Sequence, residues 1–188
     1  LLLIPGDATH PEASHRLYLK DLFSRLADLD KKQKKVLLFD CTQVDHSLIH
    51  GMVTTDFARG LKGLENNIAA VSECYVIAAS DENQLSWTSP ELGMSIFNHY
   101  LLQGLQGLAK STGNRPKISV KNISQYLSTE VEKWSQANRS AVQKPLFLPS
   151  AKLDKADEVD MARVPKVIPK EGEAQQRDQL AEIKQDWE

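Results

Sequence analysis

Short apolar runs alternate along the chain with segments in which apolar residues recur every three or four positions. The runs of strand length are "VLLFD" at 36–40, "CYVIAAS" at 74–80, "KISV" at 117–120 and "KPLFLP" at 144–149. Continuous apolar runs of this length are typical of strands buried on both faces of a parallel sheet. The alternation therefore predicts an α/β fold with a mostly parallel sheet and helices on both faces.

The segments between these runs have the apolar spacing of amphipathic helices. One begins near Arg16, one begins at Thr54, and one spans residues 122–137. Their apolar positions are Leu19, Leu22, Phe23, Leu26 and Leu29; Phe57, Leu61, Leu64 and Ile68; and Ile123, Tyr126, Leu127, Val131 and Trp134. Ser89 and Pro90 have the pattern of an N-cap and a first helical position, so we expect a long helix through "ELGMSIFNHYLLQGLQGLAK".

The length of 188 residues and the hydrophobic content of 41% suit one sizeable core. Residues 150–188 are charged and interrupted by prolines, which is typical of a linker. We therefore predict one domain over residues 1–149 and a charged linker or tail over 150–188. Because the opening "LLLIPGD" has the pattern of a core strand, we expect the domain to be incomplete at its N-terminus and the parent chain to contain further domains.

Charge and cysteine content exclude several classes of partner. The 23 basic and 25 acidic side chains nearly cancel, and no basic stripe with interleaved aromatic residues is present, which argues against nucleic acid. No run of about 18 apolar residues occurs, so no membrane association is expected. The two cysteines lie in apolar runs, which favours a reducing compartment over a disulfide scaffold. We therefore expect a cytoplasmic protein.

Candidate chemistry lies where two predicted neighbouring strands end. The first run ends with Asp40 and Cys41, and the second leads into Ser80, Asp81 and Glu82. In parallel sheets the carboxyl ends of the strands form the usual binding edge. Clustered carboxylates there suit a cationic side chain, a divalent metal or a phosphoryl group. The alternative is that the two aspartates only cap loops, and the pattern alone favours that alternative.

The other candidate side chains have a weaker signal. His46 and His50 are four residues apart, but no carboxylate or cysteine stands at a matching spacing, so a solvated loop is the stronger interpretation. His99 falls in the middle of a predicted helix, where a packing histidine is usual. Cys74 begins a buried strand and is expected to behave as a small hydrophobic residue. These four positions do not predict a metal site.

Four blocks of the chain resemble the caspase-like cysteine peptidases, especially bacterial metacaspase-like domains. In order, the blocks are "KKVLLFDCTQ", "CYVIAASDENQLSW", "SPELGMSIFNHYLLQGLQGLA" and "KISVKNISQYLSTEV". The resemblance covers residues 1–149 and leaves the tail unexplained. It implies the caspase-like version of the α/β fold, with the functional site at the strand ends identified above.

The resemblance also implies roles for the acids at that edge. Asp40 matches the acid that precedes the nucleophile in metacaspase-like enzymes and helps to line a pocket for a basic side chain. Asp81 or Glu82 matches the second acid of that pocket, and Ser80 lies in the same loop. The resemblance therefore implies a substrate-binding set of three acids and one serine.

The nucleophile position of the family matches Thr42, and Cys41 is the alternative nucleophile one residue earlier. A threonine hydroxyl has a far higher pKa than a thiol, so a histidine would activate it poorly. Because side chains alternate along an extended segment, Cys41 and Thr42 should point to opposite sides. The family's catalytic histidine lies about 50 residues before its cysteine. It would therefore precede Leu1 and is absent from this chain.

Three functions remain open from the sequence. The preferred hypothesis is a non-proteolytic caspase-like domain that binds a peptide or protein segment, for example one with a basic residue, as a binding or regulatory module. The alternative is an active cysteine endopeptidase that cleaves after basic residues with Cys41 and an upstream histidine. The third is a receiver-like phosphoacceptor domain at Asp40, although "VIAAS" lacks the lysine that this chemistry needs. None of the three requires an organic cofactor.

Overall fold

The computed structural model describes residues 1–3, 17–41, 44–47, 52–55, 57–109 and 117–163. In chain order the elements are β1 (Leu2–Leu3), β2 (Leu17–Tyr18), α1 (Leu19–Ala27), β3 (Lys35–Phe39), β4 (Val44–Ser47), β5 (Met52–Thr55), α2 (Phe57–Gly63), α3 (Glu65–Ala70), β6 (Cys74–Ala78), β7 (Thr88–Ser89), β8 (Met94–Ser95), α4 (Ile96–Gln103), β9 (Lys117–Ser119), α5 (Val120–Arg139), β10 (Leu146–Leu148) and β11 (Asp160–Arg163). Helices and strands interleave along the described residues, which confirms the predicted α/β class.

Strand β6 is the centre of the main sheet, whose order is β10-β6-β3. β3 and β6 are parallel, with Phe39 level with Ala78, whereas β10 is antiparallel to β6. The other sheets in the described residues are antiparallel pairs, so the sheets are mixed rather than mostly parallel. Two helices, α4 and α5, separate β6 from β10. The second of them returns the chain to the carboxyl end of β6, and β10 therefore runs antiparallel.

Helices cover both faces of the main sheet, as the sequence predicts. All five side chains of β6 are buried, and they alternate between two apolar clusters because successive residues of a strand point to opposite faces. One cluster joins Tyr75, Ile77 and Ala79 to α4 and α5; the other joins Cys74, Val76 and Ala78 to α1, α2 and α3. We call these sides the α4–α5 face and the α1–α3 face.

The helix predicted to begin after Ser89 begins later, at Ile96, and its N-cap is Ser95. The intervening residues form a turn in which Gly93 donates its N–H to the carbonyl of Pro90 and adopts φ +63°. This left-handed conformation suits glycine and interrupts a helix. The turn joins the short strands β7 and β8, so Ser89 lies in a hairpin rather than at a helix end.

The helix predicted from Thr54 also begins later, and it is divided in two. β4 and β5 form an antiparallel hairpin that extends to Thr55, and the helix α2 begins at Phe57. At Leu64 the backbone angles of φ −101° and ψ 6° leave the helical range, and α3 starts at Glu65. His46 lies on β4 in this hairpin rather than in a loop.

The remaining helices agree closely with their periodicity. α1 begins at Leu19, close to the predicted start, and α5 spans Val120–Arg139, slightly longer than the predicted 122–137. α5 has a reciprocal cap, in which the Ser119 side chain accepts from the N–H of Asn122 while the Asn122 side chain accepts from the N–H of Ser119. Among the described helices, none combines the length and the hydrophobicity needed to cross a bilayer.

Residues 150–163, which the sequence analysis placed in the linker, pack on the domain. Ala156 and Val159 are buried in the cluster of the α4–α5 face. Strand β11 pairs with β9, and Lys117 forms an ion pair with Asp160 across the two strands. Because the segment is mostly charged, its composition does not indicate the apolar contacts of Ala156 and Val159 or the strand β11. The folded unit therefore includes residues 150–163, beyond the predicted domain end at residue 149.

Candidate functional site

Asp40 lies directly after β3, at the carboxyl edge of the main sheet, and its side chain is held by the start of α4. Its Oδ2 atom accepts hydrogen bonds from the hydroxyl of Ser95 and from Nδ2 of Asn98, the latter at 2.6 Å. Both donors are neutral. Within the part of the chain that the structure describes, the Oδ1 atom has no hydrogen-bond partner. Asp40 is exposed, so this oxygen can accept from an external donor.

Cys41 points to the opposite face of the sheet from Asp40. It packs against the cluster of the α1–α3 face, together with Leu37 and Phe39 from the same side of β3. Burial, followed by the neighbouring charge of Asp40, raises the pKa of the Cys41 thiol to about 11. Both causes disfavour the thiolate, which is the nucleophilic form of cysteine. In this arrangement Cys41 is a neutral, half-buried thiol.

Asp81 and Glu82 follow β6 and are neutralised by α2. The Nζ atom of Lys62 lies 2.7 Å from Asp81 Oδ1 and 2.9 Å from Glu82 Oε1. Arg59, one turn earlier on α2, lies 3.9 Å from Glu82 and donates to the side chain of Asn83 at 3.1 Å. The two acids raise the pKa of Lys62, and the largest cause is the hydrogen bond that Lys62 donates to Asp81. Both carboxylates therefore have a cation of the same chain beside them.

The acids at this edge are divided between the two faces of the sheet. The strands are neighbours as predicted, and the N–H of Ala79 donates to the carbonyl of Phe39 at 2.9 Å. However, Asp40 is bound to α4 on one face, whereas Asp81 and Glu82 are bound to α2 on the other. No hydrogen bond within the described residues joins Asp40 to the other two acids. The predicted cluster is thus two separately held groups.

The structure describes only some of the other predicted site residues. Thr42 and His50 lie outside the described residues. Ser80 is buried, with 4% of its surface exposed, so it does not line an open mouth. Over the described ranges, no group of three or more His, Cys, Asp or Glu side chains is placed to bind a metal ion.

Two structural interpretations of buried polar residues are confirmed. Cys74 is fully buried on β6 and behaves as a small apolar residue in the α1–α3 cluster. His99 is buried on α4, where its Nε2 atom lies 3.0 Å from Nε2 of Gln103, and Gln103 in turn accepts from the hydroxyl of Tyr126. Both cysteines are free thiols. Cys74 and His99 therefore have packing roles in the two clusters.

Sequence reasoning missed the partners of the acids. Ser95 and Asn98 belong to a helix start that was predicted six residues too early, although "SIFN" has a serine three residues before a side chain that can complete a cap. The sequence signal for Lys62 and Arg59 is only their spacing of three on a helix, which places both on one side of α2. That spacing does not identify the loop with which they pair.

Comparisons of the chain with models of known protein families, with curated proteins and with solved structures find no match. The caspase-like resemblance therefore stays a prediction.

Proposed function

We propose that this chain is a non-proteolytic caspase-like domain that serves as a binding or regulatory module and recognises a basic side chain of a peptide or protein segment at Asp40. The observation that supports this proposal is the contrast between adjacent residues. Asp40 presents a charged oxygen to solvent, whereas Cys41 turns its thiol into the apolar cluster of the α1–α3 face. The edge is therefore suited to binding a cation and unsuited to nucleophilic attack.

The thiol of Cys41 argues against the peptidase alternative. With a pKa of about 11, about one molecule in ten thousand has a Cys41 thiolate at pH 7. Catalytic cysteines have depressed pKa values, because a neighbouring cation or helix N-terminus stabilises the thiolate. Here burial and the carboxylate of Asp40 have the opposite effect. A binding role needs no such activation, and two free cysteines suit a reducing compartment such as the cytoplasm.

The acid of Asp40 is suited to a guanidinium or ammonium group. Its Oδ2 is fixed by two neutral donors, which orient the carboxyl group without cancelling its charge. Because Asp40 is exposed, a charge-assisted hydrogen bond from a ligand cation to its Oδ1 atom contributes no more than about 1 kcal/mol. No observation favours the phosphoacceptor alternative, because the other two acids at this edge are paired with Lys62.

The test is a nuclear magnetic resonance titration of the ¹⁵N-labelled chain with acetyl-arginine-methylamide and with its neutral analogue acetyl-citrulline-methylamide. We expect the arginine compound to shift the amide signals of Asp40 and of residues 95–98, and the citrulline compound to bind about three- to fivefold more weakly. Asp40→Asn should remove the difference between the two compounds. Asp28→Asn, which changes an exposed acid at the end of α1, should preserve it.

Two results would contradict the proposal. The first is equal binding of the arginine and citrulline compounds, because the charge of Asp40 would then be irrelevant. The second is hydrolysis of fluorogenic peptides ending in arginine, lysine or aspartate by the full-length protein, with the activity lost in Cys41→Ala. That result would favour the endopeptidase alternative.

A further inference from the structure

The ammonium group of Lys62 lies between the carboxylates of Asp81 and Glu82. Its Nζ atom contacts Asp81 at 2.7 Å and Glu82 at 2.9 Å. Lys62 is fixed at this position because the preceding residue, Leu61, is fully buried in the α1–α3 cluster. About a third of each of the three side chains is exposed, so the ion pairs lie at the surface of the edge.

The loop after β6 is tied to α2 by more than this lysine. The Asp81 Oδ1 atom also accepts from the N–H of Glu82 at 2.7 Å, and Arg59 approaches Glu82 and Asn83 from the preceding turn of α2. The second acid position that the caspase resemblance implies is therefore occupied from within the chain. An external cation would have to displace a tethered one, whose effective concentration is high.

Asp40 differs from Asp81 and Glu82 in its hydrogen-bond partners and in the face of the sheet to which it is bound. Its hydrogen-bond donors, Ser95 and Asn98, are neutral, and no cation of the described residues forms an ion pair with it. It is also bound to the opposite face of the sheet from Lys62. A cation that reaches Asp40 thus neither competes with Lys62 nor releases it.

We infer that Lys62 is a specificity-determining residue, which closes the Asp81–Glu82 position as a tethered cation and restricts recognition at this edge to one cationic side chain, bound at Asp40. This inference depends on the proposed function. It identifies the recognised segment as one with a single basic residue at the edge rather than two adjacent ones. Asp81 and Glu82 then serve to position the loop, and they do not bind the partner.

The experiment repeats the arginine and citrulline titrations with Lys62→Met, which keeps a long side chain but removes the charge. We expect arginine-specific shifts of the amide signals of residues 81–83 to appear in Lys62→Met, to be absent from the wild-type chain, and to be lost again in the double variant Lys62→Met/Asp81→Asn. Lys62→Arg should behave as the wild type because it retains the cation. Lys20→Met, an exposed lysine of α1, is the matched control and should add no shifts.

Two outcomes would overturn the inference. One is arginine-specific shifts at residues 81–83 in the wild-type chain, because Lys62 would then yield to an external cation. The other is their absence from both Lys62→Met and Lys62→Gln when circular dichroism shows that the variants are folded. The proposed function fails separately, if the wild-type chain gives no charge-dependent shifts at Asp40 while Lys62→Met still acquires them at residues 81–83.

Discussion

Two acidic groups lie at the same edge of the main sheet, and different helices hold them. Asp40 follows β3 and is bound by uncharged donors of α4, whereas Asp81 and Glu82 follow β6 and are bound by cations of α2. The first group retains its charge toward solvent, and the second is neutralised inside the chain. The position of a carboxylate at a binding edge is therefore insufficient to assign a role, because its partners decide whether the charge is available.

The same comparison applies to the two sides of β3. Asp40 projects toward the α4–α5 face and is exposed, while Cys41 projects toward the α1–α3 face and is half-buried. Burial raises the pKa of the Cys41 thiol, and the neighbouring charge of Asp40 raises it further because a thiolate beside a carboxylate is repelled. The adjacent residues Asp40 and Cys41 thus have opposite chemical character.

The largest loss of stability is expected when the packing of α4 against the core is weakened. Phe97 is fully buried in the α4–α5 cluster, one residue before Asn98. Phe97→Ala should lower the free energy of unfolding by about 3–5 kcal/mol in urea denaturation, since it leaves a cavity in the core. Leu102→Ala, on the same helix but exposed, should change it by less than about 0.5 kcal/mol. Equal losses in the two variants would contradict the described packing of α4.

A smaller effect is expected at the N-cap of α4. The Ser95 hydroxyl accepts from the N–H of Asn98 at 3.0 Å and donates to Asp40. Ser95→Ala removes both bonds and should cost about 1 kcal/mol in the same urea experiment, whereas Ser95→Thr keeps the hydroxyl and should cost much less. If Ser95→Thr were as destabilising as Ser95→Ala, the loss would arise from packing rather than from the cap.

The smallest effect on stability is expected from the Lys62 ion pairs. Because all three side chains are partly exposed, Lys62→Met should cost no more than about 1 kcal/mol. The pKa of Lys62 is raised above its ordinary value of 10.5, so the contribution is fully present below about pH 10.5 and is lost as the pH rises through the higher folded value. Urea denaturation of the wild-type chain and of Lys62→Met between pH 7 and 11.5 measures the difference between their free energies of unfolding. Its disappearance by pH 9 would contradict the sign of the shift.

The sheet and its outer helices follow from local patterns in the sequence. The run ending at Ala78 is continuous and apolar because β6 packs between two layers of helices, whereas β3 lies at the edge of the described sheet and leaves Leu38 exposed. The periodicity of α5 is clear because one stripe of its surface faces the core. By contrast, the hairpin containing Gly93 depends on a left-handed backbone conformation at this residue. The apolar spacing around Gly93 does not indicate that conformation.

The sequence predicts where the acids of the candidate site lie, but it does not predict their partners. Asp40, Asp81 and Glu82 could be placed at the carboxyl edge because strand ends are visible in the sequence. Their division between two faces depends on Lys62, a residue about twenty positions away on another element. Pairing of this kind is a tertiary property, and the sequence has no local signal for it. The burial of Ala156 was missed for a similar reason, since its neighbours are charged.

The most direct test of the central claim is the reactivity of Cys41 toward iodoacetamide as a function of pH, measured in the native chain by peptide mass spectrometry that resolves Cys41 from Cys74. We predict that the alkylation rate of Cys41 rises about tenfold per pH unit through neutral pH and shows no plateau below about pH 10, because only about 0.1% of a thiol with a pKa of about 11 is ionised at pH 8. A plateau near or below pH 7 would show an activated thiolate. That result would contradict the proposed non-proteolytic function and would indicate that Cys41 is a nucleophile.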